Sequence, residues 1–171
     1  MYRQLLNNLL LVSCIFYTAT SSALPDDFDQ EVTIVSDSAL LDRKTGQVTY
    51  SGDVVLTQGT LRIESDQLTV TRKDNVFEKA IAIGNPAHYQ QQIQVDDPLT
   101  TADADKIEYL AAEQQAILTG NANLMQASNQ LTGERIVYDM TNEMVTAGQT
   151  EDGQPSRIKV VIQPQTAKDN K

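Results

Sequence analysis

The stretch Val48-Thr49-Tyr50-Ser51-Gly52-Asp53-Val54-Val55-Leu56-Thr57-Gln58 decides the fold. Apolar residues alternate at Val48/Tyr50 and again at Val54/Leu56, the two-residue period of a half-buried strand. Gly52 interrupts the alternation, and a glycine inside a strand pattern marks a bulge or a sharp bend between sheets. The second half of this stretch recurs as Gly84-Asn85-Pro86-Ala87-His88-Tyr89-Gln90 and as Gly120-Asn121-Ala122-Asn123-Leu124-Met125-Gln126. In all three, Asp or Asn follows the glycine and Gln stands six positions after it. An acidic residue precedes each: Asp37 before Gly52, Asp66 before Gly84 and Asp105 before Gly120. A weaker fourth copy runs from Glu134 to Gly148. The acid-to-acid spacings are 29, 39 and 29 residues.

The same alternation appears at Val32/Ile34, Leu61/Ile63, Leu68/Val70, Ile107/Tyr109 and Ile136/Tyr138, so each repeat reads as two or three short strands. Polar clusters separate them, at Asp42-Arg43-Lys44-Thr45-Gly46, Arg72-Lys73-Asp74-Asn75 and Thr141-Asn142-Glu143. A unit this small cannot bury its own apolar face and must stack on its neighbours. The expected class is all-β: two packed antiparallel layers of short repeated strands, folded over at the glycine bends. A right-angled parallel β-helix is the alternative, although its rungs are shorter and more uniform than these repeats.

Residues 1–23 read as a cleavable signal peptide. A short start with Arg3 is followed by an apolar run from Leu9 to Tyr17, and Ser21-Ser22-Ala23 supplies the small residues of a cleavage site. A membrane anchor is the competing reading, but about 20 uninterrupted apolar residues are needed to span a bilayer, and Asn7, Asn8, Thr18 and Thr20 interrupt these. Leu11-Val12-Ser13-Cys14 offers a lipobox, against which Ile15-Phe16-Tyr17 continue the apolar core. Cleavage after Ala23 leaves residues 24–164 as one domain and 165–171 as a polar tail expected to be disordered. That domain and tail contain no cysteine, which removes disulfides and thiolate chemistry together. They carry 12 Lys+Arg against 23 Asp+Glu, a formal charge of −11. Such a surface repels nucleic-acid phosphates and anionic headgroups, so no nucleic-acid partner is expected.

No catalytic constellation stands out. His88 is the single histidine, and alternation puts it on the face opposite Tyr89 with no Ser or Cys to serve. Asp103 and Asp105 share a strand face, but two carboxylates are too few for an all-protein metal site. No phosphate-binding glycine loop is present. Neither an enzyme, a metal site nor a cofactor is expected.

The stretch from Val48 to Thr60, with Leu61-Arg62-Ile63-Glu64-Ser65-Asp66-Gln67-Leu68-Thr69-Val70-Thr71-Arg72, resembles the signature of the OstA-like domain of periplasmic lipopolysaccharide-transport proteins. Gly84-Asn85-Pro86-Ala87, Leu118-Thr119-Gly120-Asn121-Ala122 and Ile136-Val137-Tyr138 continue the match in family order, so it covers roughly residues 31–164. The loop from Gln90 to Pro98 departs from the family pattern. The resemblance implies a twisted, half-open antiparallel β-jellyroll that takes lipopolysaccharide acyl chains inside. It also implies head-to-tail self-association that joins an inner-membrane LptC-like protein to an outer-membrane LptD-like translocon in the periplasm.

On that reading the expected lipid-contact residues are Val32, Ile34, Val48, Tyr50, Leu56, Ile63, Tyr89, Ile107, Tyr109, Leu124 and Tyr138. Ile34, Tyr89 and Tyr109 look like lining positions of the family. Tyr50, Tyr89, Tyr109 and Tyr138 are expected to bury a ring and leave a hydroxyl at the mouth. Arg62, Arg72, Lys73 and Arg135 either touch headgroups or are solvated surface charge. The expected partner edges are residues 31–36, with Val32, Thr33 and Ile34, and residues 157–163, with Ile158, Val160 and Ile162. An envelope scaffold that binds no lipid is the alternative function.

Overall fold

The computed structural model describes residues 27–73, 76–94 and 97–163. The expected signal peptide and polar tail lie outside the described residues. After a short 3-10 turn, Asp27–Asp29, come β1 (Thr33–Val35), β2 (Ser38–Asp42), β3 (Gln47–Gln58), β4 (Leu61–Lys73) and β5 (Val76–Gln91). There follow β6 (Thr100–Leu110), β7 (Gln115–Gln126), β8 (Asn129–Asp139), β9 (Met144–Ala147) and β10 (Lys159–Val161). All pair antiparallel in one sheet of order β1-β3-β4-β5-β6-β7-β8-β10, with β2 also on β3 and β9 also on β8. The all-β antiparallel class is as expected from the alternation.

One detail differs from the sequence reading. The short strands are halves of longer ones: β3 holds both Val48/Tyr50 and Val54/Leu56, and β4 holds both Leu61/Ile63 and Leu68/Val70. The two layers are accordingly two halves of one sheet. The reason is that the ladder resumes after the bend instead of ending there. Register shifts fall mid-strand between Ser51 and Val54, Glu64 and Gln67, Ile83 and Ala87, Asp103 and Lys106, and Thr119 and Ala122. At two of these bulges the repeated dipeptide supplies two successive left-handed residues: Gly52 (φ 83°) with Asp53 (φ 42°), and Gly120 (φ 76°) with Asn121 (φ 48°). Glycine enters that region freely, and Asp and Asn tolerate it better than other residues.

Alternation buries one face only. Leu56, Ile63, Leu68, Ile107, Leu118 and Ile136 are fully enclosed, each contributing about 1.5–3 kcal/mol relative to exposure. Among the described residues no helical layer covers that face, so the sheet covers itself by folding over at the bulges. It does not close into a barrel. One edge is β1 and β2, side by side along β3, and the other is β9 and β10, side by side along β8.

Candidate functional site

The inner face is organised as rows that cross the whole sheet. Register sets Ile34, Leu56, Ile63, Tyr89, Ala102, Leu124, Leu131 and Val160 opposite one another in turn, through eight strands from β1 to β10. A second row runs Tyr50, Leu68, Ala82, Ile107, Leu118, Ile136, Ala147. A third runs Val48, Val70, Ala80, Tyr109, Ala116, Tyr138, Val145. Each row is buried in its middle and less covered toward its ends: Val160 is 53% exposed and Val145 is 40% exposed, while Ile34, Tyr50 and Val48 at the β1–β3 end and Ala147 on β9 are half-buried. The interior is therefore one continuous apolar path whose termini meet solvent.

At the β1/β3 end the two halves part to leave a groove of about 820 Å³, within the range of small-molecule sites. Val32 and Ile34 form one wall and Val48, Tyr50 and Val70 another. Gln30, Gln58, Arg72, Val76, Phe77, Ala111, Ala112 and Gln114 complete the lining. Behind it the Phe77 ring stacks on Tyr109 with centroids 6.1 Å apart, and Tyr89 lies 6.4 Å from Tyr109.

A polar tether closes one margin of this interior. The Asp27 carboxylate accepts from Thr60 N–H at 2.7 Å, Thr60 Oγ1 at 2.6 Å and Gln91 Nε2 at 2.7 Å. Tyr89 hydroxyl donates to Gln91 Oε1 at 2.8 Å. The expectation that the tyrosine hydroxyls sit at the mouth is corrected for Tyr89, Tyr109 and Tyr138. All three are enclosed, at 2% exposure or less, because the neighbouring strands cover them on either side, and Gln91 brings a polar partner inside for the Tyr89 hydroxyl. Burial, and next the neighbouring Tyr109 and Tyr138, hold the Tyr89 phenol well above its ordinary range, so it stays neutral.

The outer face carries the polar residues. His88 Nδ1 and Asp103 Oδ1 are 2.6 Å apart, Asn123 Nδ2 donates to Asp103 Oδ2 at 3.1 Å, and Gln130 Nε2 donates to Asn123 at 2.8 Å. His88 is exposed while Tyr89 is 2% exposed, as alternation requires. Among the described residues no group of three metal-ligating side chains comes together, and no helix is long and apolar enough to cross a membrane.

Of the residues singled out from sequence, Val32, Ile34, Val48 and Tyr50 come together on the groove. Leu56, Ile63, Tyr89, Ile107, Tyr109, Leu124 and Tyr138 lie in the enclosed parts of the rows. Thr33 and Ile34 sit on β1; Val160 sits on β10 between Ile158 and Ile162, and all three of these apolar side chains are exposed. Val76, Phe77, Ala111 and Gln114 were missed. Phe77 carried no legible signal, because alternation counted back from the buried Ala80 and Ala82 points it outward, and only the β4–β5 register shift between Thr71 and Arg72 turns it in.

Comparison with known proteins places this geometry. The profile of the family described as LptA/(LptD N-terminal domain) LPS transport protein matches residues 33–144. The lipopolysaccharide export system protein LptH of Pseudomonas aeruginosa is 36% identical over 147 residues, covering 83% of this chain and 84% of that protein. The export system proteins LptA of Haemophilus influenzae and of Escherichia coli K12 are each 31% identical, over 163 and 166 residues. These alignments cover 94% and 96% of this chain, and 94% and 88% of those proteins. The crystal structure of Pseudomonas LptH, described as the LptA-homologous periplasmic component of the lipopolysaccharide transport device, superposes with a TM-score of 0.74. It is 36% identical and the match spans 82% of this chain and 100% of that one.

Proposed function

The chain belongs to the LptA/LptH family of lipopolysaccharide-transport proteins, and from that membership we propose that its folded sheet carries lipopolysaccharide by the acyl chains. The family sets the frame: a periplasmic, non-catalytic adaptor that bridges the inner-membrane and outer-membrane parts of the export pathway. What supports the finer reading is the row from Ile34 to Val160, apolar in all eight strands, half-buried beside the groove at Ile34 and exposed at Val160. Exposing each CH₂ of an acyl chain to water costs about 0.8 kcal/mol. A multi-acyl lipid therefore faces a barrier of tens of kcal/mol in free solution, and a continuous apolar path lowers it without any chemistry.

Chains enter at the groove between Val32/Ile34 and Val48/Tyr50. To reach Tyr89 and Tyr109 they must part the two halves of the sheet, since both side chains are covered. Because the path runs from one edge of the sheet to the other, copies stacked head to tail through β1/β2 and β9/β10 extend it between LptC-like and LptD-like partners.

Photo-crosslinking tests the reading. A benzoylphenylalanine at Ile34 should capture lipopolysaccharide, and one at Thr33, on the opposite face of β1, should capture little. Equal capture at the two positions would sink the groove. Ile34→Glu should weaken lipid binding by setting an unpaired charge on apolar surface.

A further inference from the structure

We propose that Arg72 selects the lipid headgroup, holding a phosphate group at the rim of the groove while the attached acyl chain lies against Ile34, Tyr50 and Phe77. The inference rests on the lipid-carrying role proposed above and adds to it a preference for anionic amphiphiles.

Leu68, Val70 and Arg72 follow one another at period two on β4, so Arg72 continues the inner-face line past the last buried residue. The register shift beside it sets Arg72 opposite Phe77, the aromatic at the groove floor. Among the described residues lining the groove it is the only charged one. Its side chain is exposed, and no carboxylate among the described residues pairs with it. The other well-placed cations are committed elsewhere: Arg62 to Glu64, and Lys79 and Lys106 to Glu108.

A cation at the end of an apolar line suits an amphiphile with charge at one end. The aliphatic stem of arginine packs on apolar surface while its head stays in water, and the planar guanidinium matches phosphate with two parallel hydrogen bonds. The chain as a whole carries −10, so its bulk field repels anions. Screening beyond about 10 Å at 0.1 M salt leaves a local cation to decide what the groove accepts.

Calorimetric titration of the delipidated full-length protein separates the contributions. The probes are dodecyl phosphate, dodecyl maltoside and inorganic phosphate, each below micelle-forming concentration. Wild-type protein should prefer dodecyl phosphate. Arg72→Gln should weaken dodecyl phosphate by about tenfold more than dodecyl maltoside, the loss of one charge-assisted pair, and the maltoside binding that remains also reports that the variant is folded. Arg72→Lys should keep part of the preference, Arg72→Glu should reverse it, and inorganic phosphate alone should not bind. An unchanged phosphate-to-maltoside ratio in Arg72→Gln overturns headgroup selection and leaves the groove standing. Inorganic phosphate binding as tightly as dodecyl phosphate overturns the lipid headgroup as its target. If neither amphiphile binds wild type, the groove reading falls and takes this inference with it.

Discussion

The side chain of Asp105 on β6 occupies the space that a side chain at Gly120 on β7 would need. A Cβ on Gly120 would overlap the Asp105 carboxylate and stand 3.0 Å from its Cβ. Asn121 Nδ2 donates to the same carboxylate at 3.0 Å. Asp37 stands against Gly52 in the same way, and its N–H donates to Gly52 carbonyl oxygen at 3.1 Å. The acid-before-glycine spacing in the sequence is thus a bulge and the acidic residue packed over it, used twice: Asp105 from within β6 and Asp37 from the bend between β1 and β2.

Gly120→Ala should therefore lose about 1–3 kcal/mol, from the left-handed backbone and from displacement of Asp105. Urea denaturation measures the loss. In Gly120→Ala with Asp105→Ala the overlap disappears and the backbone strain remains, so the double variant should be more stable than the two single losses added together.

Leu118 lies in the second inner row, fully enclosed, whereas Ile83 on β5 is half exposed. Leu118→Ala should cost about 2–5 kcal/mol, and Ile83→Ala should stay within about 0.5 kcal/mol. Equal losses in thermal or urea unfolding would mean that the inner and outer faces are misassigned.

Glu108 on β6 governs part of the acid response. Partial burial raises its carboxyl, but hydrogen bonds and charge from Lys79 (3.0 Å) and Lys106 (3.1 Å) outweigh burial and hold it below the ordinary 4.5. A depressed folded value contributes stability that is present above the unfolded value and is lost as pH falls through the folded one. Stability should then decline below about pH 4.5, and Glu108→Gln should flatten that decline by no more than about 1 kcal/mol. Lys106 behaves oppositely: the Glu151 hydrogen bond chiefly raises it above 10.5, so its contribution is present below that pH and lost above it. Urea midpoints across pH 3–7 for wild type and Glu108→Gln check the acid limb.

β10 meets the sheet through three residue pairs with β8, Lys159 to Thr132, Val160 to Leu131 and Val161 to Gln130, and leaves Ile158, Val160 and Ile162 exposed. Truncation after Ser156 should leave a folded, lipid-binding protein that no longer forms concentration-dependent chains, because the edge offered for strand addition is gone. Such a contact is heterologous and grows open filaments. Sedimentation that shows truncated and full-length protein associating alike would remove this edge from the assembly surface.

Much of the inner face was legible because its cause is local. A side chain's face in a strand follows from its two-residue period, so Ile34, Leu56, Ile63, Tyr89, Tyr109 and Tyr138 could be named as inward-facing without knowing any neighbour. The glycine bends were legible for the same reason, since only glycine and its Asp or Asn partner enter the left-handed region at low cost. Sequence by itself thus determined the all-β class, the bends and most of the inward set. Tertiary structure alone decided which inward residues are sealed and which line the groove. Tyr50 and Tyr109 follow the same pattern along the chain, yet Tyr50 stands beside the sheet edge and Tyr109 lies midway between edges with at least three strands on either side. It also decided Phe77, where a register shift between β4 and β5 overrides alternation. Burial is a property of how many strands surround a position, and the pairing of distant strands is not written in any one stretch of chain.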